Sequence, residues 1–104
     1  MKHEAYQKQL DKIKADVIYD LVTGFLSAGA LEIQLYRPLV YQDFDGHQVN
    51  EVITRINIEQ QVAVIDDSFD MSHIKLDKLS LDILLRLLQE FEEGNYEIWE
   101  VVAE

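Results

Sequence analysis

The chain has 104 residues, 48% of them hydrophobic, a formal net charge of −11 and no cysteine. That length and apolar content suit one folded domain with one core rather than a disordered chain, and the missing thiols exclude disulfides, thiolate metal sites and thiol nucleophiles, and with them a zinc ribbon, a Cys protease or a thioredoxin-type centre. So acidic a surface repels phosphate, which argues against direct binding of nucleic acid or of an anionic membrane.

Residues 1–28 read as a helix. Tyr6, Leu10, Ile13, Val17 and Leu21 recur at three- and four-residue steps, with Lys8, Gln9, Asp11, Lys12, Lys14 and Asp16 between them. The apolar arc widens from Val17 to take in Ile18, Val22, Phe25 and Leu26, so the first half should lie on the surface and the second should enter the core. Gly24 or Gly29 ends the helix, and Ser27-Ala28-Gly29 favours the later stop. The first nine residues lack the apolar stretch of a signal peptide, and no run approaches the ~18 apolar residues of a membrane span; a cytoplasmic location is the expectation.

At residue 30 the period changes to two. Leu31, Ile33 and Leu35 alternate with Glu32, Gln34 and Tyr36, the mark of a half-buried strand. Pro38 signals a strand end, an edge or a bulge, and Leu39–Gln42 resumes extended structure. Asp43-Phe44-Asp45-Gly46 reads as a turn. Val49–Ile58 is rich in β-branched residues, Glu59-Gln60-Gln61 reads as a tight turn, and Val62–Ile65 as a further strand. Residues 30–66 thus form an expected antiparallel meander of three to four strands.

Residues 67–79 read as a loop. A helix follows over 80–93, with Ser80 as N-cap, Asp82 in the first turn, Leu79 and Leu84 placed for a hydrophobic staple, and Gly94-Asn95 as the stop. Tyr96–Val102 is the last strand. The expected class is α+β: an antiparallel sheet of four to five strands with an N-terminal helix and a helix before the last strand, in the order α-β-β-β(-β)-α-β.

Charge and apolar residues are both unevenly placed. Residues 1–29 hold four lysines and four acids, whereas residues 30–104 hold five bases and 16 acids, so the whole imbalance lies in the second part. In the 80–93 helix, Leu81, Ile83, Leu84, Leu85, Leu87, Leu88 and Phe91 cover more than half the circumference. A helix packed once on a sheet needs an apolar stripe of only about 100°. The surplus is to be covered either by the first helix or by a partner, with Ile83, Leu84, Leu87, Leu88, Phe91 and, on the adjoining strand, Trp99 as interface candidates.

Chemical motifs are sparse. An EF-hand register that puts Gly46 at position six places Tyr41 at position one and Val52 at position twelve, so two ligands are missing. Asp66, Asp67, Asp70 and His73 form the densest ligand-type cluster, which Asp43, Asp45 and His47 could join, although Asp and Ser also dominate ordinary loops. Ser27, Ser68, Ser72 and Ser80 stand in no Gly-x-Ser-x-Gly turn, and the four glycines form no phosphate loop. Glu92 and Glu93 point to different helix faces. Tyr36, Tyr41, Phe44, Tyr96 and Trp99 gather on strands beside Asp43, Asp45, Glu97 and Glu100, surroundings that suit packing or a protein contact better than nucleic-acid stacking.

No catalytic set and no cofactor is implied. The pattern points to a small non-catalytic protein-interaction or assembly module whose protein partner could be a second copy of the chain. Two alternatives stand beside it: an acidic inhibitor or DNA mimic that captures a basic protein, and a small enzyme or metal binder that uses the loop carboxylates and histidines.

Overall fold

The computed structural model of the protein describes residues 2–43, 50–66 and 71–103. The elements are helix α1 (Lys2–Ser27), strands β1 (Ala30–Asp43), β2 (Asn50–Asn57), β3 (Val62–Asp66) and β4 (Met71–Lys75), a single 3-10 turn (Leu76–Lys78), helix α2 (Leu81–Glu93) and strand β5 (Tyr96–Val101). The strands form one antiparallel sheet in the order β4-β3-β2-β1-β5. The fold is α+β, with the first helix before the sheet and the second before its last strand. No helix among the described residues is long and apolar enough to cross a membrane.

Both helices cover one face of the sheet. A row of directly paired residues, Ile98–Ile33–Ile56–Ala63–Ile74, crosses all five strands on that side. Its central members are buried, and only its ends, on the two outer strands, reach solvent. Leu21 and Phe25 of α1 and Ile83, Leu84 and Leu87 of α2 complete the core.

Helix α1 divides as its apolar arc predicts. Residues 4–9 are exposed, and burial begins at Ile18. A 26-residue helix is about 39 Å long. Gly29, at φ 85°, makes the later stop, and its carbonyl accepts the Val102 N–H at 2.8 Å. Only a residue without Cβ takes that backbone conformation without cost. In α2, Ser80 caps the first turn by accepting the Ile83 N–H, and Gly94 closes the last turn in the left-handed conformation, φ 72°.

Part of the surplus apolar arc of α2, its Phe91 side, is taken up by α1, while Leu85 stays 47% exposed. Phe91 packs edge-on to Phe25 with ring centroids 4.7 Å apart, and Tyr96 meets Phe25 at 5.0 Å. The Phe91 ring also lies over Gly24, so close that a Cβ there would come within 2.8 Å of two ring carbons.

One feature differs from the sequence expectation. Residues 71–78 are not loop but β4 and the 3-10 turn. The strand was hidden because it lies at the sheet edge: Met71, Ser72, His73 and Lys75 are exposed, and only Ile74 is partly buried, so no apolar alternation marks it. Of the three readings offered for Pro38, the bulge is the one the structure shows, and β1 runs through it. The pairing with β2 jumps from Gln34–Arg55 to Leu39–Ile53, which places Pro38 in a bulge where no ladder N–H is needed. The Asp43–Gly46 turn falls largely within residues 44–49, outside the described residues.

Candidate functional site

The face of the sheet opposite the helices carries no helix among the described residues and is largely polar, with Val62 and the buried Val64 of β3 as its apolar members. Opposed residues in an antiparallel pair project to the same side. Two rows therefore cross this face: His73–Val64–Arg55–Gln34–Glu97 and Lys75–Val62–Asn57–Glu32–Glu100. Each begins with an imidazole or ammonium group on β4 and ends with a carboxylate on β5.

At the centre stands a connected group. The Arg55 guanidinium meets the Glu32 carboxylate at 3.1 Å (Nη1 to Oε2), and Asn57 Nδ2 donates to the other Glu32 oxygen, also at 3.1 Å. Asn57 Oδ1 in turn accepts the Gln60 N–H at 2.8 Å, which ties the group to the β2–β3 turn. The Arg55 guanidinium lies 4.6 Å from the centre of the Trp99 ring, a cation–π arrangement that places the indole on this face. Trp99 is the extra residue of a β5 bulge, between the pairs Ile33–Ile98 and Glu32–Glu100. A bulge re-aims a side chain, and here it brings the indole within reach of a residue two strands away. Arg55 and Glu32 retain side-chain exposures of only 21% and 17%, yet Trp99 stays 54% exposed.

The arrangement presents an aromatic surface stacked on a guanidinium that is already paired with a carboxylate. It holds no nucleophile beside a base. Ser80 Oγ is engaged as a helix cap, and Ser27 and Ser72 are exposed. An open groove of about 580 Å³ lies elsewhere, between α1, the β2–β3 turn and the 3-10 turn. Its charges are balanced, Asp11 and Asp77 against Lys14 and Lys78, and the Lys14 ammonium already donates to the Asp77 carbonyl at 2.9 Å.

Of the metal-ligand cluster, Asp66 and His73 lie on neighbouring strands, while Asp67 and Asp70 are outside the described residues, as are Asp45 and His47. Among the described residues no three His, Asp or Glu gather as a ligand set. Of the interface candidates, Ile83, Leu84 and Leu87 are buried inside the chain and Leu88 and Phe91 pack against its core, whereas Trp99 faces outward. The aromatic group divides: Tyr96 joins Phe25 and Phe91, and Tyr36 and Trp99 are exposed. Sequence reasoning missed Arg55, Glu32 and Asn57. The available signal was the polar alternation Glu32–Gln34 and Arg55–Asn57 inside strands otherwise rich in isoleucine, which marks a sheet with one open face.

By fold, then, the chain is an antiparallel sheet with two helices on one face and an aromatic–guanidinium–carboxylate group on the other. Compared with protein-family models, curated proteins and solved structures, it matches none of them.

Proposed function

We propose that this chain is a non-catalytic protein-interaction module that binds through the open face of its sheet, with Trp99 at the centre of the contact. The observation that supports this reading is an exposed indole held in place by a guanidinium that is itself anchored to a carboxylate. Trp and Arg are the residues most enriched where binding energy concentrates, and a side chain ordered before the encounter loses less entropy on binding. The face is a sheet surface rather than a concavity, which suits a macromolecular partner better than a small substrate. The acids of the chain lie on many elements, among them Asp11 on α1, Glu59 in the β2–β3 turn, Asp77 in the 3-10 turn and Glu97 on β5. That spread favours an interaction module over a DNA mimic, which needs carboxylates arrayed on one continuous face.

Photo-cross-linking in the cells that make the protein tests the reading. A benzoylphenylalanine at Gln34 or Glu97 is expected to yield discrete protein adducts, and one at the exposed Gln89 of α2 none. Equal labelling at all three positions, or none at the first two, overturns it.

A further inference from the structure

We infer that the partner docks by adding an extended, basic segment to the free edge of β5, as a sixth strand of the sheet. This rests on the interaction reading above and names the partner's chemistry. β5 is an outer strand, bonded on one side to β1. Among the described residues no strand pairs with its other side, the arrangement that accepts a strand from another chain. Every residue from Glu97 to Val101 is exposed. Neither a lysine nor a proline guards this edge, and the run Tyr96–Ile98 keeps a regular register before the bulge at Trp99.

Charge complementarity chooses the occupant. Residues 87–104 contain Glu90, Glu92, Glu93, Glu97, Glu100 and Glu104 and no base. Glu97 and Glu100 end the two rows of the open face, so a strand laid against β5 places its own alternate residues opposite two carboxylates. Lysine or arginine there continues the cross-strand pairing, while the intervening residues, on the helix side, meet Ile98 and favour β-branched side chains. A second copy fits less well. Two β5 edges brought together crowd Glu97 and Glu100 of both copies with no base on the strand. Seating the β4 edge of one copy on the β5 edge of the next leaves free edges at both ends and grows without closure.

The test uses the whole chain and an alternating Lys-Val octapeptide, read through Trp99, the one tryptophan present. Saturable change in Trp99 emission is expected, weakening as salt rises. Two further peptides carry N-methyl groups on one or the other alternate set of amides. One of them is expected to bind and the other to lose at least ~10-fold in affinity, because only one set faces β5. The double variant Glu97→Lys/Glu100→Lys, its fold checked by circular dichroism, is expected to lose the Lys-Val peptide and gain a Glu-Val one. Equal behaviour of the two N-methylated peptides overturns the inference, as does light scattering that shows chain growth without peptide. Failure of the parent peptide also overturns it; adducts at Gln34 in that case leave the interaction reading standing.

Discussion

Gly24 and Phe91 set the distance between the two helices. A Cβ on residue 24 meets two ring carbons at 2.8 Å, and the ring is confined by Phe25 on one side and Tyr96, stacked at 6.0 Å, on another. Gly24→Ala gains up to about 1 kcal/mol of helix propensity but overpacks the contact by about 1–3 kcal/mol, for an expected net loss of about 1 kcal/mol. Urea denaturation reads this as a lower midpoint, and adding Phe91→Leu is expected to recover part of it. Arg55 and Glu32 give a second expectation. A cycle of Arg55→Met and Glu32→Gln should show a coupling of about 1 kcal/mol that shrinks as salt rises, since both groups keep some solvent contact. Loss of Arg55 should also free the indole, seen as faster depolarisation of Trp99 fluorescence. The partners in this group were not legible in the sequence, because the pairing register that brings Arg55 beside Glu32 depends on the bulges in β1.

Helix α2 and strand β4 show opposite degrees of legibility. The helix announces itself through local chemistry: a serine that accepts the Ile83 N–H at one end and a glycine at φ 72° at the other. Ser80→Ala is expected to cost about 1 kcal/mol, measured as a fall in melting temperature, because it leaves an N-terminal N–H without its acceptor. β4 has no comparable signal. Its residues are held by backbone pairing to β3 from Val62–Lys75 to Asp66–Met71, and backbone pairing leaves no trace in side-chain hydrophobicity when one strand edge and most side chains face water.

For the molecule as a whole, the covering of α2 by α1 bears on association. Most of an apolar arc that looked too wide for one contact is used in two contacts inside the same chain, one with the sheet and one with α1, and Leu85 alone of its large apolar residues is exposed. The acidic edge of β5 further opposes pairing of like copies. The isolated protein is therefore expected to scatter light as a monomer over micromolar concentrations, and a stable dimer at low salt would point to a self-contact through the open face instead.

Local and periodic features were readable from the amino-acid sequence: the two helices and their caps, the strand-rich middle, the bulge-forming proline and the acidic second part of the chain. These depend on residues within a few positions of one another, where propensity and periodicity act. Tertiary structure alone decided what covers α2, which strands lie at the edges, and which side chains share the open face. Those outcomes depend on pairing between distant segments, and one bulge moves every later residue of a strand relative to its neighbour. Two of the acids, Glu97 and Glu100, thus stand on the outer strand β5 beside the exposed tryptophan that Arg55 holds.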